Sequence, residues 1–227
     1  MSFDIIWDNI GLYLHGALLT LELLAISLVL GLLLAVPLAV IRAGKGFASR
    51  AVWLYTYVFR GTPMLVQLFL IYYGLAQFEW VRESAAWPWL SSAWFCACLS
   101  FVLNTAAYTT EIFAGSIRAL PKGEIEAARA IGMAPLTLLR RIVLPGALRR
   151  ALPAYSNEAI FMLHGTSLAS VVTLMDLTGV ARSINASNYI PFEAFITAAV
   201  FYLVLTLTLV GLFNRMEARW LKPILQR

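Results

Sequence analysis

The chain has 227 residues, of which 61% are hydrophobic and only 13% charged, and its mean hydropathy is +0.79. That balance excludes an ordinary soluble domain, and apolar runs of roughly 20 residues recurring along the chain are the signature of bilayer-spanning helices. The formal net charge of +5 gives no reason to invoke nucleic acid, because the placement of the basic residues makes it a topology signal.

In chain order, the first apolar run covers 17–41, "ALLTLELLAISLVLGLLLAVPLAVI". It is longer than a cleavable signal core, and the residues before it hold Asp4 and Asp8 with no Lys or Arg, so it reads as a permanent span. Glu22 is expected at its outer interface. The second run, 53–78, contains "FRGTP" at 59–63. Arg60, Gly61 and Pro63 predict an amphipathic prelude on the membrane surface, a break, and a short span from Pro63 onward; a plain structural turn fits the same residues. The third run covers 93–117, and Trp80, Trp87, Trp89 and Trp94 before and at its start mark an outer aromatic belt. The fourth covers 151–174 and the last 194–213. The outer loop between them, 175–192 with Asp176 and Arg182, is expected to be solvated. The whole chain, 1–227, is expected to be one all-α integral membrane domain with five transmembrane helices.

Fourteen of the 17 Lys and Arg fall on one side of this layout. Arg42, Lys45 and Arg50 follow the first run, and seven basic residues from Arg118 to Arg150 lie between the third and fourth. Arg215, Arg219, Lys222 and Arg227 follow the last. That side is therefore expected to be cytoplasmic, with the N-terminus outside and the C-terminus inside. Cys96 and Cys98 point about 200° apart on a helix, which opposes a shared disulfide or metal. With only His15 and His164, no His-based metal centre is expected. The chain has no G-x-x-x-x-G-K-[ST] loop, so it is not expected to hydrolyse ATP by that route itself. "NAS" at Asn185 fits a glycosylation acceptor, a pattern too common to weigh.

The charged passage 121–145 stands out between apolar runs. "PKGEIEAARAIG" reads as a helix with Pro121 and Gly123 at its entry and Glu124 and Glu126 in its first turn, where the dipole favours anions. Gly132 ends it, "APLTLLRRIVL" forms a second helix, and Pro145 is expected to stop that one. The small residues Ala127, Ala128 and Ala130 let another surface approach closely. A solvated loop between spans also fits.

Glu126, Ala127, Ala128, Gly132, Ile142, Leu144 and Pro145 together match E-A-A, three residues, Gly, nine residues, I-x-L-P. This resembles the coupling motif of ABC-importer permeases, in which the helix docks in a cleft of the cytoplasmic ATPase. "FRGTPMLVQLF" (59–69) and "NEAIFMLHGTSLAS" (157–170) are similar to stretches of the polar-amino-acid permeases, and 103–130 resembles the M-type subunits of histidine/lysine/arginine/ornithine importers. The resemblance covers nearly the whole chain. It implies a type I importer permease in a bacterial inner membrane, paired as a heterodimer with a second permease. It also implies two ATPase copies that bind ATP and Mg, a periplasmic solute-binding protein and a basic amino acid as substrate. Where the broader family has Lys-Asp before Thr-Ser-Leu, this chain has His164-Gly165, a loss of positive charge that suits cationic substrates and is shared by the M-type subunits. Glutamine, glutamate or cystine as solute, or a stand-alone channel or enzyme, are the alternatives.

For the solute pathway, Glu158 is the first candidate. A carboxylate at mid-membrane costs roughly 2.5–3.5 kcal/mol on insertion scales, which a transported cation or a fixed partner must offset. Tyr155, Met162 and Thr166 share its face, and Asn157 shares another with His164. Ser167 adjoins them. Asn104 and Tyr108 lie on a polar stripe of the third run, and Gln67 in the second is a further candidate. Glu111, on the same stripe, is expected to pair with Arg118 or with the hairpin.

Overall fold

A computed structural model describes residues 3–220, and all regular secondary structure among them is helical, with no strand. Lys222 and Arg227, counted above among the basic residues, lie outside them. A short helix α1 (Phe3–Asp8) leads into α2 (Ile10–Ala43), whose 34 residues span about 50 Å at 1.5 Å per residue. The apolar run at 17–41 is thus the middle of a longer rod. After Gly46, at φ 106°, α3 (Phe47–Gly61) begins. It buries Ser49, Val52 and Thr56, one face at helical spacing.

The chain then turns by 103° into α4 (Met64–Phe69), which continues as a π turn (Leu70–Gly74) and a 3-10 turn (Leu75–Gln77). The break has a local cause: Thr62 precedes Pro63 and is extended at φ −118°, ψ 144°, as the proline ring requires of its predecessor. Two one-turn helices, α5 (Glu79–Arg82) and α6 (Trp87–Leu90), bridge to the 26-residue α7 (Ala93–Arg118). The hairpin follows as α8 (Lys122–Ala130), α9 (Pro135–Leu138) and a π turn (Leu139–Val143). Then come α10 (Leu144–Gly165), a 3-10 extension (Thr166–Val172), α11 (Leu177–Asn188) and α12 (Pro191–Trp220). α2 and α12 are each long and apolar enough to cross a membrane, while the α3–α4 and α10–α11 stretches qualify as bent pairs.

Helix α7 is the hub, packing on α2, α3, α4 and α10. Its partner seam on α2 is Ser27, Gly31, Ala35 and Ala39, all buried and four apart, the small-residue spacing that lets two helices approach closely in lipid. Leu23, Leu68, Phe101, Met162 and Leu163 fill the mid-level core. At the end that holds the chain's start, Tyr13, Leu177, Val180, Ala194 and Ala198 form a second cluster, with Tyr13 Oη donating to the Ala194 carbonyl at 2.8 Å.

Two expectations are corrected here. Pro145 does not stop the second hairpin helix: it sits in the first turn of α10, and the π turn 139–143 before it absorbs the donor that proline lacks. The segment 175–192 is not a plain solvated loop. Asp176 caps α11 by accepting from the backbone N–H of Gly179 at 3.0 Å and Thr178 at 3.3 Å, and α11 buries Leu177, Val180, Ala181 and Ile184.

Candidate functional site

The α3–α4 elbow, α7 and α10 enclose a cavity of about 590 Å3. Its floor is the elbow itself, Arg60 to Met64, and its walls are Asn104 and Tyr108 of α7 and Glu158, Phe161 and Met162 of α10. Glu158 is only 8% exposed and accepts a hydrogen bond from Thr105 Oγ1 at 3.1 Å. The Arg60 guanidinium lies over the Tyr108 ring, 5.3 Å from its centroid, a cation–π placement. Tyr108 Oη returns a hydrogen bond to the Arg60 carbonyl at 3.3 Å. The cavity thus carries a carboxylate on one wall, a guanidinium at the elbow, and aromatic and thioether surface beside them. It has the features to hold a zwitterion with an additional positive group.

The elbow is fixed by Gln67. Its Nε2 donates to the carbonyls of Phe59 (2.7 Å) and Thr62 (3.0 Å) and to Thr62 Oγ1 (2.8 Å), while its Oε1 accepts from Asn104 Nδ2 at 3.0 Å. Gln67 is therefore buried behind the cavity lining, with its amide bonded to the elbow and to Asn104.

Of the nine pathway candidates expected from the sequence, Glu158, Asn104 and Tyr108 line the cavity, and Gln67 and five others do not. Tyr155 points to an aromatic cluster with Phe113 and Phe213, and its hydroxyl donates to the Leu28 carbonyl at 3.4 Å. Asn157 is exposed on the flank of α10. His164 and Ser167 lie on a separate groove against α12, where the His164 ring meets Thr206 Oγ1 at 3.2 Å. Thr166 is fully buried and donates to the Leu163 carbonyl at 2.7 Å. The reason is angular: at 100° per residue His164 sits roughly 240° around the helix from Glu158. Arg60 and Phe161 belong to the cavity but went unrecognised. The Arg60 tetrad reads equally well as a turn, and Phe161 reads as one more lipid-facing aromatic.

Toward the far end of α7, Glu111 joins three helices. It takes Arg42 Nε of α2 at 2.6 Å, Thr56 Oγ1 of α3 at 2.8 Å, and more distantly Arg118 Nη2 at 3.9 Å. The Arg118 pairing expected from sequence is present but secondary to Arg42.

In the hairpin, Glu126 and Ala127 are exposed, Ala128 is buried, and Gly132 closes α8 at φ +79°. There the backbone N–H of Gly132 bonds the Arg129 carbonyl at 3.0 Å and that of Met133 the Ala128 carbonyl at 3.1 Å. Ile142, Leu144 and Pro145 are half-buried where the hairpin re-enters the bundle. Ile131 and Leu136 expose 77% and 57% of their surface beside α8, apolar area that a partner would cover.

The model of the binding-protein-dependent transport system inner membrane component family matches residues 27–222. The chain belongs to that family. It is 49% identical to the histidine/lysine/arginine/ornithine transport system permease protein HisM of Salmonella typhimurium, over 97% of this chain and 94% of that protein. It is 45% identical to the octopine transport system permease protein OccM of Rhizobium radiobacter, over 97% and 91%. A crystal structure of an amino acid ABC transporter with histidines superposes with a TM-score of 0.85 at 33% identity, covering 96% of this chain and 99% of that one. The chain is a membrane-embedded permease subunit of an ABC importer and not an enzyme. Its transport system includes a separate ATPase subunit and a binding protein.

Proposed function

We propose that this permease carries basic amino acids and that the cavity at the α3–α4 elbow is the substrate site. The observation that carries the reading is the buried Glu158 carboxylate lining the same cavity as Arg60. Glu158 receives the side-chain cation through a charge-assisted hydrogen bond, and Arg60 faces the substrate carboxylate. The names of the relatives at 49% and 45% identity, for histidine/lysine/arginine/ornithine and octopine systems, support this class. In this reading the chain crosses a bacterial inner membrane five times, with the basic loops and the C-terminus cytoplasmic and the N-terminus outside; the excess of Lys and Arg on one side supports it. The chain pairs with a second, similar permease, and the hairpin 121–145, with its exposed Glu126 and Ala127, docks on one of two ATPase copies. ATP and Mg are held by those partners. ATP binding there draws the hairpins together and rocks the helices between inward- and outward-open states, and hydrolysis resets them.

The test is arginine uptake by the assembled importer in proteoliposomes, wild type against Glu158→Gln, with glutamine and octopine as comparison solutes. Arginine uptake collapses in the variant while the ATPase still co-purifies. Unchanged arginine uptake in an intact assembly would place the site in the partner permease. Preferred glutamine uptake by the wild type would overturn the substrate class.

A further inference from the structure

A second cavity, of about 510 Å3, lies between the start of α10 and the end of α12, remote from the elbow site. Arg140 of the π turn, Arg149 of α10 and Arg219 of α12 line it, together with Leu144, Leu148 and Trp220. Among the described residues no carboxylate lies within ion-pair distance of any of the three arginines. Three unpaired guanidinium groups around one space repel one another, and guanidinium is the group best shaped to grip phosphate oxygens. The surroundings are those of a bilayer edge. α12 fully buries only Ala194, Ala198 and Phe213 within the chain, and Leu203, Val204, Leu207 and Leu212 stand exposed on its flank. Trp220, 48% exposed, is the side chain that favours the headgroup level. Leu144 and Leu148 supply the apolar part of the lining.

We infer that this cavity binds the phosphate headgroup of an anionic phospholipid, with Arg140, Arg149 and Arg219 on the phosphate and Trp220, Leu144 and Leu148 against the glycerol and upper acyl chain. Basic pockets between membrane helices are established headgroup sites. The apolar half of the lining favours a lipid over free phosphate. The occupant ties the base of α10, where the hairpin re-enters, to the end of α12, so the leaflet itself helps hold the lever.

Native mass spectrometry of the detergent-purified importer, offered phosphatidylglycerol or phosphatidylcholine of identical chains, tests this. The wild type retains phosphatidylglycerol preferentially. At about fivefold per arginine, Arg219→Gln alone lowers that preference about fivefold and the triple change R140Q/R149Q/R219Q on the order of 100-fold. R141Q/R150Q, outside the cavity, leaves it intact. Equal retention of both lipids by the wild type, or undiminished preference in both the single and triple variants, overturns the assignment. Displacement of the lipid by millimolar inorganic phosphate makes this a free-phosphate site and overturns the lipid reading. Loss of the ATPase subunit from the triple variant, with lipid retained, makes it a protein-docking surface and does the same.

Discussion

Replacing Gly31 by alanine joins helix packing to the substrate cavity in one experiment. A Cβ at this position overlaps the Thr105 methyl and stands 3.5 Å from the Ala106 backbone nitrogen and 3.6 Å from the Val102 carbonyl oxygen. The backbones on the seam of Ser27, Gly31, Ala35 and Ala39 cannot part locally without opening the whole contact. The least costly response is rotation of Thr105, which carries its Oγ1 away from Glu158, now 3.1 Å distant. Overpacking costs about 1–3 kcal/mol, and the lost intramembrane hydrogen bond adds about 0.6 kcal/mol. Alanine regains about 1 kcal/mol of helix propensity over glycine. The net destabilisation is about 1–2 kcal/mol, a fall of a few degrees in the unfolding midpoint of the solubilised protein. Thr105→Ser removes the methyl and keeps the hydroxyl, so the double variant G31A/T105S recovers at least wild-type stability relative to G31A. Thermal unfolding followed by intrinsic fluorescence reads both. If G31A melts at or above the wild type, or if T105S fails to rescue it, the account of this seam is wrong.

Glu111→Gln keeps the shape of the three-helix clamp but removes the charge that holds Arg42 at 2.6 Å and Arg118 at 3.9 Å. With side chains 21% and 15% exposed in the closer pair, the loss sits at the low end of the range for charged hydrogen bonds, about 1–2 kcal/mol. Thermal unfolding registers it, and an unchanged midpoint contradicts the clamp. His164→Ala, in contrast, leaves the KM for arginine uptake within about twofold of the wild type, because the ring lies on the α12 groove and contributes nothing to the elbow cavity. A tenfold rise in KM would move the pathway to that groove.

The helical, membrane-embedded character of the chain was legible because apolar runs of this length have one common outcome, and the hairpin was legible because charge between such runs is conspicuous. Glu158 was legible for a related reason: a carboxylate in an apolar run requires an explanation. What a one-dimensional pattern could not carry was the angle at which distant helices meet. Gln67 looked like a pathway residue because its amide is polar and central, yet its donors are taken by Phe59 and Thr62 across the elbow. Tyr155 looked like part of the Glu158 face, yet a turn of helix away it meets Phe113 and Phe213 instead. Pro145 looked like a stop, yet the π turn just before it lets the helical path run on into α10.

The polar residues of α7 share an arrangement that bears on coupling. Asn104 is bonded to α4, Thr105 to α10, Tyr108 to the end of α3, and Glu111 to both α2 and α3. From Asn104 to Arg118 the helix runs about 21 Å without a break, and only three residues then separate it from α8. On its other side the hairpin passes through α9 and the π turn into α10, which carries Glu158. The hairpin is therefore inserted between two helices that both line the cavity. A displacement of α8 loads both walls at once, and it can do so without an intervening flexible segment longer than the turn at Gly132. Side-chain bonds from α7 to four other helices mean that such a load cannot move α7 alone. Because α7 holds the elbow through Asn104 and Tyr108 and Glu158 through Thr105, a load on the hairpin would reach both charged groups of the cavity.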